Sequence, residues 1–534
     1  MKKNIIYMAA LAVLTAACSN EDDNILPGSE TGSTDEVRMI TETITATNGD
    51  AAGSASTRAA VGADAKFTWS AGDQVAVHVS DGKYYTTTAL AEGGSNSAEF
   101  SVSYPEGASR DAFAVFPSSI VILNAANYGQ SGASLDVTLP KEYDVTEVKD
   151  HITPCPMIAD NTGSSWTFKQ LCGLLRLTIT NIPSGTDYLK LDFNGRKVSG
   201  DFSIASPVTP GTSTIQSVAG TKGTDDYIMI TGLGDVTSYT VNIPLPTGTA
   251  YSDLTVSAWN SSNVPLKAQV TPFSYTASRA KGKKVTSALS LGVFSIAYGK
   301  YAVFSPGNLQ YKASSNEWRF AEHQYDYIGS DNASVSSSYT GWIDLFGWGT
   351  SGKSFDSGYG SAYQPWSKST TSSSAYGPTG TNNLTGTYAN GDWGVNMGSG
   401  WRTLTGNTSG EWNYLLKTRK VNGGTGSGHS YTLGKWVNNV LGVVLYPDDY
   451  TGAAYTNSAN WSTFESAGCV FLPAAGWRSG SSVNSVGSYG AYWSSTAYGT
   501  DYAYYVFFYS DSVNPTSYNG RSSGYSVRLV RPVE

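Results

Sequence analysis

Residues 67–79 read Phe67-Thr68-Trp69-Ser70-Ala71-Gly72-Asp73-Gln74-Val75-Ala76-Val77-His78-Val79. From Gln74 onward the side chains alternate at period two, the repeat of an extended strand with two different faces. Leu175-Arg176-Leu177-Thr178-Ile179 and Leu254-Thr255-Val256-Ser257-Ala258-Trp259 do the same. Gly/Ser/Asp-rich turns, such as residues 160–165, separate such runs, and amphipathic helical stretches are scarce. The pattern predicts an all-β sandwich region over 37–290, as one unit or as two sandwiches meeting near 150.

The texture changes over 291–534. Eleven of the 14 tryptophans lie here, beginning at Trp318, and residues 350–400 are almost entirely Gly, Ser, Thr, Asn and Tyr. Large aromatics can pin such irregular chain to a core. Apolar spacing of three to four predicts a helix over 411–417, with Ser409 or Thr408 as N-cap, and a second short helix over 433–440. Residues 504–508 and 526–530 read as strands. The expected fold class is mainly β, a β-sandwich region followed by an α+β unit.

At 534 residues, two to four domains are expected. Only 14% of residues are charged, so Ser, Thr, Asn and Gly cover the surface. A net charge of −8 with no basic tract argues against nucleic acid as a partner. Lys2 and Lys3, the apolar run 5–14 and the small residues Thr15-Ala16-Ala17 lead to Cys18. That is a secretory signal over 1–17. It resembles a bacterial lipoprotein signal, with Leu14 four rather than three positions before the cysteine. The resemblance implies acylation of Cys18 by chains such as palmitate, each buried CH₂ contributing roughly 0.8 kcal/mol to membrane attachment. Residues 18–36 read as an acidic tether. Ser19-Asn20-Glu21-Asp22-Asp23 resembles the surface-export signal of Bacteroidetes lipoproteins, which implies the outer membrane and the cell surface. Cys155, Cys172 and Cys469 remain, an odd number. Cys155 and Cys172 could pair across a hairpin, or each could be a small buried apolar residue.

Thr57-Arg58-Ala59, the stretch 67–77, Ala114-Val115-Phe116-Pro117, Met157-Ile158-Ala159 before Phe168-Lys169-Gln170-Leu171, and Val241-Asn242-Ile243-Pro244-Leu245-Pro246 occur in an order that resembles the fimbrillin (Mfa-like) family of Bacteroidales. That family includes pilus subunits, anchors and tips. The resemblance implies proteolytic processing after Arg58 and strand exchange with other pilus subunits, through main-chain pairing at an open sheet edge. The alternative is a plain arginine before the first strand of a stalk.

Phe304-Ser305-Pro306-Gly307-Asn308-Leu309-Gln310-Tyr311, Trp318-Arg319-Phe320-Ala321, residues 341–349, Trp401-Arg402-Thr403-Leu404-Thr405, residues 471–478, Tyr492-Trp493-Ser494-Ser495 and Ser526-Val527-Arg528 carry a second resemblance. It is to the Fibrobacter succinogenes major paralogous domain, in the formylglycine-generating-enzyme-like branch of the C-type-lectin fold. The link 406–410 is longer than usual there.

Chemistry is sparse. The enzyme of that branch relies on groove cysteines, whereas Cys469 sits alone in the apolar run Gly468-Cys469-Val470-Phe471 and reads as core. His78, His151, His323 and His429 lack metal-ligand spacing. Asp448-Asp449 reads as a turn after a buried strand, or else as an oxygen site for calcium. The glycine run 423–428 lacks the Lys-Ser/Thr of a phosphate loop. No catalytic residue, metal or cofactor is expected.

A binding surface is. Residues 498–525 hold seven tyrosines among Asp, Asn, Ser, Thr and Gly. That mixture gives rigid amphipathic contact with adaptable hydrogen bonding. Tyr498, Asp501, Tyr502, Tyr504, Asp511, Asn514, Tyr518, Asn519 and Arg521 are the expected exposed ligand contacts, while Tyr505 and Phe507 face the core. The implied partner is an extracellular protein or glycan; the alternative is a pilus tip or accessory subunit. Lipoproteins ending in such lectin-like domains are recurrent targets of diversity-generating retroelements, and residues 492–531 resemble their variable repeat in composition and position.

Overall fold

The computed structural model describes residues 37–48, 60–61, 67–93, 95–118, 134–146, 155–160, 165–205, 225–279, 281–353, 364–398 and 400–534. Residues 1–36 with Cys18, as well as Arg58 and His151, lie outside the described residues. The chain is mainly β, as expected.

Trp69 organises the first sheet. Its indole N–H donates to Ala46 O at 3.1 Å, and Phe100, Phe116 and Phe168 meet its ring edge-on at 5.0, 5.2 and 5.4 Å. Beside it, Asp73 closes the turn by accepting from the Ser70 amide at 2.7 Å, and Gly72 takes a φ of +90° that a side chain would resist. The strand Ala76–Val79 lies inside a seven-stranded sheet that runs from Tyr84–Thr86 at one edge to Ser97–Pro105 at the other. Those edges approach each other, since the Thr88 amide donates to Ser101 O at 2.8 Å.

Period two sorts this strand between two cores. Val75, Val77 and Val79 join the Trp69 cluster, whereas Ala76 points the other way, toward Val137, Leu139 and Phe202. The strand Met157–Asp160 divides likewise, with Met157 and Ala159 on one side and Ile158 on the other. Cys155 and Cys172 lie together in the second of these cores, their Sγ atoms 2.6 Å apart.

A six-stranded sheet then faces a three-stranded one. Leu175, Leu177 and Ile179 of Gly173–Thr180 pack with Leu189, Leu191, Ile230, Leu254 and Val256 from the larger sheet. Burying each such side chain contributes roughly 1.5–3 kcal/mol.

Beyond Gly292 the sheets among the described residues are small, of two or three strands, and linked by long loops. The helix expected over 411–417 is one short α-turn, Glu411–Asn413, running into a π-helical turn, Tyr414–Thr418. Gly410 caps it, not Ser409 or Thr408. The second expected helix is a hairpin instead: Tyr431–Val437 pairs with Val440–Leu445. Asn438 and Asn439, both at positive φ, make the two-residue turn that joins twisted antiparallel strands. A helix does occur at Trp461–Ser466, capped by Asn460.

Several contacts join the chain before and after residue 290. Leu291–Gly292 pairs with Pro265–Thr276. Lys267 Nζ donates to Ala467 O at 2.5 Å, and Arg531 reaches Asp253 at 2.9 Å. Trp259 meets Tyr301 edge-on at 6.1 Å.

Candidate functional site

Six of the nine expected binding residues fall on one antiparallel sheet of three strands, Gly490–Tyr498, Tyr502–Phe508 and Val513–Gly520, and Asp501, Asp511 and Arg521 lie in the turns at its ends. Tyr498 pairs with Tyr502 and Tyr504 with Tyr518, so period two lifts these rings onto one face. Ala503 and Tyr505, on the opposite face, are buried. The first strand is buried on both faces through Ala497, because loops cover its outer side: the Ser495 amide donates to Leu404 O and the Leu384 amide to Ser495 O.

The four rings form a cluster. Tyr498 and Tyr518 stack at 3.8 Å with 17° between planes, and Tyr504 meets them edge-on at 5.3 and 6.3 Å. Tyr502 approaches Tyr518 at 6.1 Å and 84°. Tyr502 and Tyr518 are 47% and 49% exposed, so about half of each ring is held by its neighbours and half is presented outward. The hydrogen bond with Tyr518 raises the Tyr498 phenol above its ordinary value. The loop 406–410 approaches closely because Gly406 has no side chain; a Cβ there would sit 2.4 Å from Tyr504 Cβ.

Asp501, in the turn joining the first two strands, lies beside the rings. Asp511 and Asn514 do not. They stand at the far end of the sheet, where Phe508 pairs with Val513, roughly 20 Å from Tyr502 at the rise of a strand. The Asn514 side chain is occupied locally, accepting from the Thr516 amide at 2.9 Å. Tyr509, 46% exposed and packed on Tyr489 at 5.0 Å, is the aromatic at that end; the sequence reading passed over it. Asn519 turns inward, donating to the Tyr525 hydroxyl at 2.6 Å.

Arg521 corrects an expectation. It was read as exposed and ligand-facing, yet it is fully buried. Its guanidinium lies 4.6 Å over Trp348 and donates to Tyr502 O at 3.1 Å and Pro378 O at 2.6 Å. Several planar donors suit a nest of carbonyls, which is why arginine occupies this site. Its role is to hold the Tyr498–Tyr502 turn against residues 377–378.

Cys469 and Asp448, singled out in the sequence, are engaged in structure. Burial pushes the Cys469 thiol up to about 12, far from a ready thiolate. Asp448 pairs with buried Arg419 at 2.7 Å and accepts from the Ser295 amide at 2.8 Å. Among the described residues no three His, Cys, Asp or Glu side chains gather as a metal site. No helix among them is long and apolar enough to cross a membrane.

A family model described as a domain of unknown function (DUF8237) matches residues 455–530, which include all three strands of the tyrosine face. No curated protein matches the chain. Similar solved structures include a fimbrial protein from Bacteroides ovatus, 11% identical, covering 92% of this chain and 99% of its own, with a TM-score of 0.22. Another is a proposed cell adhesion protein from Bacteroides ovatus, 11% identical over 41% of this chain and 83% of its own, with a TM-score of 0.26. A third is the C-terminally truncated tip fimbrial protein Mfa3 from Porphyromonas gingivalis, 9% identical over 44% and 82%, with a TM-score of 0.18. At these scores the functional reading rests on the chain's own residues.

Proposed function

We propose that this chain is an exported surface adhesin or receptor, tethered through Cys18, that binds an extracellular protein or glycan through the Tyr498–Tyr502–Tyr504–Tyr518 face. The observation that carries the reading is the mutual packing of four tyrosines whose outer surfaces stay exposed. Their rings are already ordered by one another, so little side-chain entropy is lost on binding. A few such anchors supply most of the affinity of an interface. Asp501 beside them offers an acceptor at the rim.

The test compares the full chain with a Tyr502→Ala/Tyr518→Ala variant on arrays of glycans, mucins and extracellular proteins. Both positions are half exposed, so the fold survives the change. The expected result is a ligand of the parent chain bound at least about tenfold more weakly by the variant, a loss of roughly 1.4 kcal/mol. Equal binding by both would refute the assignment of this face.

The anchor at Cys18 and retroelement diversification of residues 492–531 belong to the same proposal and rest on the sequence. Substitutions clustered at adenine positions across a cell population, next to a matching repeat, would support the second. An invariant stretch with no repeat would make this a fixed adhesin.

A further inference from the structure

A separate cleft of about 520 Å³ opens where the chain before residue 290 meets the chain after it. That volume lies within the roughly 300–1,000 Å³ of small-ligand pockets, which favour such junctions. Trp259 and Tyr301 contribute its aromatic wall, and Tyr188 stacks behind Trp259 at 5.9 Å with 7° between planes. Asn263 lines the same cleft from a turn, its Oδ1 accepting from the Tyr188 hydroxyl at 3.2 Å and its amide N–H groups remaining as donors. Arg402 and Glu411 reach it as a bidentate pair at 2.6 and 2.7 Å. Beside it, at the tip of the hairpin between Phe294–Ala297 and Lys300–Phe304, Tyr298 is 95% exposed.

We propose that this cleft binds a neutral sugar residue. The side-chain charges of its lining cancel, Lys300 and Arg402 against Glu411 and Glu534. What it offers is the partly open ring of Tyr301 with the edge of Trp259, itself only 6% exposed, for the apolar face of a pyranose, and the Asn263 amide with the rim of the Arg402–Glu411 pair for its hydroxyls. The nearly free ring of Tyr298 stands next to the lining residues Gly299 and Lys300, within reach of a sugar bound at the rim. This site is independent of the tyrosine face and stands or falls apart from it.

Saturation-transfer NMR with the full chain tests it, using the methyl glycosides of glucose, galactose, mannose and N-acetylglucosamine at millimolar concentration. Two substitutions spare the fold. Tyr298→Ala removes an exposed ring, and Asn263→Gly keeps the positive φ of 56° while deleting the amide. Transfer to at least one glycoside is expected, with binding weakened about tenfold in the Tyr298→Ala/Asn263→Gly variant and retained in Tyr502→Ala/Tyr518→Ala. No transfer to any of the sugars, or transfer unchanged by Tyr298→Ala/Asn263→Gly, overturns the proposal.

Discussion

Arg531 and Asp253 form a nearly buried ion pair, Nη1 to Oδ2 at 2.9 Å, with side chains 2% and 13% exposed. Asp253 also accepts from Asn194 Nδ2 at 2.7 Å, so a single carboxylate gathers partners from either side of residue 290. Removing one member strands the other charge in a poorly solvated place, which costs about 3–5 kcal/mol. Asp253→Asn and Arg531→Met are each expected to lower the unfolding free energy by that order. The double variant should lose clearly less than the sum, since neither charge is left alone. Denaturant unfolding of the four proteins of this cycle measures the coupling; additive losses would show that the pair contributes nothing.

Asp344 is fully buried, and burial pushes its carboxyl up to about 6, against the hydrogen bonds it receives from Asn332 and the Ile328 amide. Between its ordinary value of 3.8 and about 6, the native state holds a proton that the unfolded chain releases. Stability from this group is therefore complete below the ordinary value and declines as pH rises toward about 6, by roughly 3 kcal/mol in all. Asp73, also raised to about 6 by burial, acts in the same direction. Urea unfolding at pH 4.5 and pH 7 should show a smaller pH difference in Asp344→Asn than in the parent chain. An unchanged difference would place the titration elsewhere.

Arg521→Lys should destabilise the chain by about 2 kcal/mol, even though charge is conserved. A lysine ammonium cannot serve the carbonyls of Tyr502 and Pro378 and also lie flat over Trp348, and a buried carbonyl left unpaired costs about 1–3 kcal/mol. Because Arg521 holds the Tyr498–Tyr502 turn, amide exchange of residues 499–502 should accelerate beyond the global effect. Hydrogen exchange resolved to peptides reads this directly; uniform acceleration across the chain would mean that Arg521 has no local role.

How far the sequence reveals this molecule depends on the range of the interactions. The alternation in 74–79 made a strand legible, since it records a local geometric repeat. That both faces of that strand are covered was not legible, because His78 and Ala76 look like solvent-side residues until a second core packs on them. Residues 433–440 carry helical spacing, and only Asn438-Asn439 signalled the hairpin that formed. The tyrosine face was legible in part. Period two placed Tyr502 and Tyr504 outward, whereas Arg521 was misassigned because arginine is seldom fully buried. The carbonyls of Tyr502 and Pro378 that it reaches lie 19 and 143 residues away in the chain, and no local pattern announces those.

The Tyr498–Tyr518 stack gives a prediction that needs no ligand. The hydrogen bond that Tyr498 shares with Tyr518, and the charge that ionisation would place beside the neighbouring rings, raise the Tyr498 phenol above its ordinary value. Tyr518→Phe keeps the ring stack but removes the partner hydroxyl, so the Tyr498 titration should move down toward its ordinary value. Tyr518→Ala should do the same and additionally free the Tyr498 ring, at a stability cost of only about 0.5–1.5 kcal/mol for the lost aromatic pair. Tyrosine-selective carbon-13 NMR follows both the titration and the ring order. A Tyr498 signal that titrates identically in the parent chain and in Tyr518→Phe would mean that the two hydroxyls share no hydrogen bond, and a Tyr498 ring equally ordered in the parent chain and in Tyr518→Ala would mean that the stack does not form in solution. The ordered ring surface on which the binding proposal depends would then be absent.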